Sequence, residues 1–231
     1  VILSLIAKII EIIPIMWNDS QLTTLLEQVR VGETDPAEAL RRLKESARAL
    51  PTKFLEEAAV DLDRVARCGY AEVIYAEGKS TETVVDIFGT LLENGQDALA
   101  TRVNTEQANA LTQAFTDAIH HSQGRTVRLN QNQDPRPTKV AVIAAGTTDL
   151  PVAWEAVETL RWMRLPTDLI ADVGVAGPQR LPSQLDRFQD ADAIVVVAGM
   201  EGALPSVVGG YVSCPIVAVP TSVGYGANFD G

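Results

Sequence analysis

Four short runs of branched aliphatic residues in the second half of the chain, each ending at a glycine-bearing polar turn, constrain the fold more than any other feature. Val140 to Ala145 runs into Gly146-Thr147-Thr148-Asp149, and Leu169 to Val173 runs into Gly174 to Arg180. Ala193 to Ala198 runs into Gly199 to Pro205, and Ile216 to Val219 into Pro220 to Gly226. A continuous apolar run needs cover on both faces, whereas a strand with one wet face alternates. Helical stretches separate the runs, so they read as parallel strands with helices on both sides and all the polar turns at the strands' carboxyl ends. That edge is where open α/β sheets bind ligands.

The region before the sheet changes character several times, which predicts a separate small α+β unit over residues 16–129. Leu22 to Val31 has helical spacing, and Asp35-Pro36 is a cap followed by proline at the first helical position, opening a helix to about Leu50. Glu72 to Tyr75 reads as a strand, Ala76 to Lys79 as a turn, and Ser80 as the cap of a helix to about Glu93. Leu99 to Val103 is a second strand; Asn104 with Gln107 resembles a capping box for a helix to about His120; Arg125 to Leu129 is a third strand. His120 and His121 thus fall at a helix end, in capping or surface positions. The polar, proline-bearing stretch 130–138 reads as the linker to the sheet domain, residues 139–231.

The first fifteen residues are apolar but contain Lys8, Glu11 and Pro14. They are too short and too charged for a spanning helix and lack a secretory signal's basic start and cleavage site. Met16 opens what looks like an ordinary protein start, so residues 1–15 are read as an upstream extension, with an interfacial or packing helix as the alternative. The 231 residues carry 19 Lys and Arg against 30 Asp and Glu, and a net charge of -11 weighs against a nucleic-acid binder. Cys68 and Cys214 stand far apart with no CxxC and no neighbouring histidine, which excludes a zinc motif and a disulfide framework and fits a reducing cytoplasm. Cys214, before Pro215 at a strand start, reads as a buried structural thiol.

In the Gly146-Thr147-Thr148-Asp149 turn, amides and two hydroxyls can meet an anion; the plainer reading is a βα turn with Thr148 or Asp149 as helix cap. The P-loop lysine is missing, and no GxGxxG follows any strand. Arg180 ends the second turn and can clamp a phosphate or carboxylate, or simply be solvated. Glu201, in a glycine-flanked turn after a buried strand, can orient or deprotonate a water; alternatively it only complements the dipole of the helix beginning near Leu204. Ser206 and the pair Gly209-Gly210 follow, where small residues allow close packing against the sheet or another subunit. Thr221 to Gly226 offers hydroxyls and two glycines beside Tyr225 for nucleotide contacts, or a mobile loop.

Together AAGTTDLPVA, DVGVAG followed by Arg180, VVVAGMEGALPSVVGG and VPTSVGYGANF resemble the LarB family of nickel-pincer cofactor biosynthesis, which serves lactate racemase maturation. The stretch Asp63 to Lys79 looks like that family's amino-terminal signature, so the likeness covers about Leu22 to Gly231, most specifically Ala198 to Gly210. The sheet domain is also similar to the PurE type of aminoimidazole ribonucleotide (AIR) carboxylase. The resemblance implies a flavodoxin-like three-layer domain and a carboxylase and hydrolase of nicotinic acid adenine dinucleotide. Carbon dioxide or bicarbonate is then the co-substrate, and the products are AMP and pyridinium-3,5-biscarboxylic acid mononucleotide.

On that reading Glu201 is catalytic, and substrate or phosphate contacts come from Gly146, Thr147, Thr148, Asp149, Asp172, Gly177, Arg180, Gly199, Gly202, Ser206, Thr221, Ser222, Gly224 and Tyr225. No tightly bound cofactor is expected; a divalent metal such as Mg is an open requirement, and its ligands are unassigned. A cytoplasmic homo-oligomer with shared active sites follows, without nucleic-acid or membrane partners. Two departures stand out. Gln179 sits where the family has a histidine, and the family's nucleophilic cysteine lies in a helix beyond the GYG loop, so this chain is expected to be truncated at Gly231. Neither Cys68 nor Cys214 matches that motif. The alternatives are AIR carboxylation itself and a nucleotide-binding fragment without catalysis.

Overall fold

The computed structural model describes residues 19–48, 52–131 and 134–222. The expected upstream extension and the last turn's Gly224 and Tyr225 lie outside them. In the second half β7 (Val140–Ala144), β8 (Thr167–Ile170), β9 (Ala193–Ala198) and β10 (Ile216–Pro220) form one parallel sheet in the order β10-β9-β7-β8. Every residue of β7 is buried, as its unbroken apolar run requires. Alternation sends Ala141 and Ile143 to one face and Val142 and Ala144 to the other. The first face packs on α7 (Leu185–Phe188) and α8 (Leu204–Gly209) through Phe188, Leu204 and Val208. The second packs on α6 (Leu150–Trp162) through Ala153 and Val157. The fold is flavodoxin-like, and its topological switch point lies between β7 and β9.

The first unit opens with α1 (Asp19–Arg30) and α2 (Pro36–Arg48); the Asp35 carboxylate accepts from Ala37 N–H at 2.8 Å and so caps α2. Then follow β1 (Thr52–Phe54), β2 (Ala59–Asp61), α3 (Arg64–Cys68), β3 (Val73–Tyr75), α4 (Thr81–Glu93), β4 (Ala98–Thr101), α5 (Thr105–Ala114), β5 (Ile119–His121) and β6 (Thr126–Leu129). β1 and β2 form a hairpin; the other four strands form a mixed sheet in the order β3-β4-β6-β5. Ser80 caps α4, and the reciprocal Asn104–Gln107 box opens α5. One expectation is corrected. Helix α5 ends at Ala114, because Phe115 turns extended and packs on Phe88 with ring centroids 5.1 Å apart. His120 and His121 lie in β5, paired antiparallel with β6, rather than at a helix end.

Helix α6 also covers the back of this first sheet. Trp162, 2% exposed, joins Ala71 and Leu99 in a small buried cluster, and Trp154 stacks on His121 at 4.3 Å. A Cβ on Gly124 would stand 3.0 Å from the backbone of Trp154 and Glu155, so a glycine there lets the β5–β6 hairpin close on α6. The layers therefore run helices, sheet, α6, sheet, helices. Glu158 of α6 is 1% exposed and accepts from Arg128 of β6 and from Arg161, both at 2.7 Å. The stretch after β6 is tied down as well: Asn130 Nδ2 donates to Trp162 O at 2.7 Å and Arg136 N to Arg164 O at 2.8 Å.

Removing the central carboxylate strands Arg128 between the units. Glu158→Ala should lower the free energy of unfolding by ~3–5 kcal/mol, read as a fall in the urea midpoint. Arg128→Met with Glu158→Met should recover most of that loss, because it removes both buried charges.

Candidate active site at the carboxyl edge of the parallel sheet

Because all four strands of the second sheet run the same way, their polar turns gather on one edge. A cavity of about 250 Å³ opens there at the switch point, walled by the turns after β7, β8 and β9. Gly146, Thr148, Asp149, Gly199 and Glu201 line it, together with Gly174, Val175, Ala176 and Met200. The mainly apolar lining suits a flat ring better than a highly charged group.

Gly174 is what lets the second turn approach the first. Its N–H donates to Ala145 O at 2.8 Å, and a Cβ would stand 2.9 Å from that same oxygen. The Gly146 turn is a short 3₁₀ turn, Thr147–Asp149, continuing into α6. Asp149, expected to meet substrate, is 3% exposed and satisfied internally: one carboxylate oxygen accepts from Gly146 N–H at 2.9 Å, the other from the Thr221 hydroxyl at 2.7 Å. Thr221 N–H in turn donates to Ala198 O at 3.0 Å. Asp149 and Thr221 thus clamp the ends of β7, β9 and β10 together and act on the site through the backbone they position.

Glu201 has the opposite environment. It is exposed on the cavity rim, between Met200 at φ 54° and Gly202 at φ 65°, in a turn closed by Gly202 N–H to Gly199 O at 3.1 Å. Among the described residues its carboxylate has no hydrogen-bond or ion-pair partner. A methionine in left-handed backbone is strained, and such strain concentrates where a turn has a task beyond connection. Met200, Val175 and Ala176 were not singled out by sequence reasoning; all belong to turns it had recognised.

Arg180 and Asp172 share the edge but not the cavity lining. Arg180 Nη1 donates to Asp172 Oδ1 at 2.8 Å, with the two side chains 52% and 57% exposed. Surface pairs of this kind are weak, so an incoming anion can replace Asp172 as the partner. Arg180 folds over Gly177. Thr147 and Ser206 are exposed outside the lining, as is Ser222 at the end of the described chain. Cys214 is half-buried against the core of the second unit and Cys68 is exposed; both are free thiols, and neither lines the cavity. Among the described residues no group of three or more His, Cys, Asp or Glu could hold a metal ion, and no helix is long and apolar enough to cross a membrane.

Residues 52–132 match the LarB/PurE-like N-terminal domain, and residues 139–230 match AIR carboxylase. An uncharacterized protein of Methanocaldococcus jannaschii is 36% identical over 180 residues, covering 74% of this chain and 70% of the relative. The chain belongs to the LarB family. The tandem of the two domains is that family's architecture, and it places the chain among enzymes of carboxylase and hydrolase type. In this LarB family member the glycine turns of the AIR carboxylase-like domain form the candidate site, and the N-terminal domain packs behind it on α6.

The clamp and the glycine contact make separable predictions. Thr221→Val leaves a buried carboxylate oxygen unpaired and should cost about 1–3 kcal/mol in urea unfolding. Gly174→Ala should deform the cavity itself, weakening ligand binding more than it lowers stability, as titration calorimetry beside the unfolding curve would show.

Proposed function

We propose that the protein carboxylates the pyridinium ring of nicotinic acid adenine dinucleotide and hydrolyses its phosphoanhydride, releasing AMP and pyridinium-3,5-biscarboxylic acid mononucleotide. The observation that carries this reading is the unpartnered Glu201 carboxylate on the rim of a ring-sized apolar cavity at the switch point of a LarB family sheet. At about 250 Å³ the cavity is smaller than the roughly 300–1,000 Å³ that encloses a drug-sized ligand, so it takes one ring of the dinucleotide while the rest lies along the edge. The diphosphate then meets the amino end of the helix opened by Thr147–Asp149, the free Thr148 hydroxyl and Arg180.

Glu201 takes a proton from the water that attacks phosphorus, the bridging P–O bond breaks, and AMP departs. Carbon dioxide or bicarbonate supplies the new carboxylate. Carboxylation needs a nucleophile to add to the ring and make it electron-rich, and neither Cys68 nor Cys214 is placed to do so. The described residues therefore support the binding and hydrolytic half of the reaction most directly. A divalent cation such as Mg, where used, would be carried by the diphosphate with its own waters. The reading includes a homo-oligomer, supported by exposed Val207, Tyr211 and Val217 around α8 and the edge strand β10, and a reducing, cytoplasmic setting, supported by the free thiols.

The match of residues 139–230 to AIR carboxylase favours a second reading, carboxylation of aminoimidazole ribonucleotide. One experiment separates them: mass spectrometry after incubation with isotope-labelled bicarbonate and either nicotinic acid adenine dinucleotide or aminoimidazole ribonucleotide. Label in a pyridinium dicarboxylate mononucleotide with AMP is the expected result; label only in the imidazole product would establish the second reading, and binding without turnover a nucleotide-binding role. Glu201→Gln should slow AMP release ~100-fold or more while dinucleotide affinity changes little. Unchanged release would remove Glu201 from the mechanism.

A further inference from the structure

The turn after β8 holds Arg180 folded back at the rim of the sheet-edge site. Arg180 Nη1 donates to Asp172 Oδ1 at 2.8 Å, and Asp172 O stands 3.4 Å from the same nitrogen. Among the described residues no other side chain bonds or pairs with this guanidinium. Asp172 has φ 58°, in the left-handed region that aspartate tolerates better than most residues. Val175 and Ala176, inside the loop that the pair closes, line the cavity.

Gly177 makes this position possible. A Cβ there would overlap Arg180 Nε and stand 2.8 Å from its Cδ, closer than a real Cβ packs. The backbone of Gly177 lies outside the left-handed region, so the turn itself does not call for glycine; the space taken by the arginine does. The backbone of Arg180 is fixed at both ends, since its N–H donates to Gly177 O at 2.9 Å and its carbonyl accepts from Ser183 Oγ at 2.7 Å. Only the side chain is left to swing.

The guanidinium is thus bound to an internal carboxylate, with both side chains more than half exposed. A phosphate that reaches Arg180 must replace that carboxylate, so the free energy of the surface pair is subtracted from its binding. The phosphate has the advantage in the exchange, because it offers more acceptor oxygens and, in a diphosphate, two charges. We infer that Asp172 is a positioning residue for the ligand's phosphate: it holds Arg180 over Gly177 until a phosphate arrives, and takes the arginine back when product leaves. This rests on the reading of the sheet edge as the place where the dinucleotide's diphosphate binds. It makes the site looser than its contacts allow, which favours release of AMP and of the mononucleotide.

The probe is inorganic pyrophosphate, which carries the charge without the ring or the reaction, titrated into the full chain by calorimetry. Asp172→Asn should bind it about fivefold more tightly than wild type, the worth of a good surface pair. Gly177→Ala should give a similar gain with no change of charge, because its methyl group pushes the arginine off Asp172. Combining the two should add little, since each removes the same contact. Arg180→Gln should weaken binding about tenfold, and in that background Asp172→Asn should give no gain. Four results would overturn the inference: no pyrophosphate binding to wild type or Asp172→Asn at millimolar concentration, unchanged or weaker binding in Asp172→Asn, a gain that persists without Arg180, or a folded Gly177→Ala that shows none. Should Gly177→Ala not fold, the Asp172 and Arg180 variants decide alone. The expected shifts without conversion of the dinucleotide would remove the proposed reaction and leave this inference standing, whereas dinucleotide turnover with unshifted affinities would do the reverse.

Discussion

Everything else in this molecule is arranged around the buried carboxylate of Glu158. Taking an ion from water into a protein interior is costly, and the cost is offset only where its lone pairs find donors with good geometry. Here each oxygen has one, from Arg128 on the first sheet and Arg161 on the same helix. Arg128 also donates to Asn130 Oδ1 at 3.3 Å, and Asn130 donates onward to Trp162 O. This chain of directional bonds runs along α6 from Glu158 to its last residue. Apolar burial would hold the two sheets against α6 in several registers, whereas the network accepts one. The Gly146 turn at the other end of α6 is thereby held at a set height relative to both units.

The two acidic residues of the sheet edge show how environment divides one chemistry into two tasks. Asp149 is buried and has both oxygens bonded to the protein, so it is spent on geometry; Glu201 is exposed and unpartnered, so it is free for an external proton or water. The division follows from the topology. Asp149 lies where β7 enters α6 and faces the neighbouring end of β10, while Glu201 sits at the tip of a turn closed between two left-handed residues. Most of the cavity wall is backbone and small side chains, which leaves Thr148, Glu201 and the nearby Arg180 as the groups that can change partner.

The sheet domain was legible in the sequence because strands covered on both faces write unbroken apolar runs, and the caps at Asp35, Ser80 and Asn104 were legible because each acts within three residues. What sequence reasoning missed lacks any local signal. Strands β1, β2 and β5 have three residues each, with exposed positions such as Phe54 and Ile119, too short to show a period. The helical pattern toward His120 was overridden by Phe115, whose ring packs on Phe88 and stands 3.3 Å from the position a Cβ would take on Gly89. Asp149 read as a ligand contact because its true partner, Thr221, is 72 residues away and only the fold brings them together. The recognised turns supplied the site's location, but not which of their side chains would be consumed internally.

The two ends of α6 differ electrically, and that difference decides which of them can receive an anion. Its amino end, reached through the 3₁₀ turn at Thr147–Asp149, carries the positive end of the helix dipole and opens on the sheet edge, where the dipole favours negative charge. Its carboxyl end carries the negative pole, which disfavours an anion. There the Trp162 carbonyl is already bonded by Asn130, and the Arg164 carbonyl by Arg136 N–H. What is left without a partner is the indole donor and the glutamine oxygen, both uncharged. A free phosphate at that end would have Asp97 and the helix terminus against it. One helix of 13 residues, roughly 20 Å long, thus turns the end that favours an anion toward the sheet edge and keeps the opposite pole bonded between the two units.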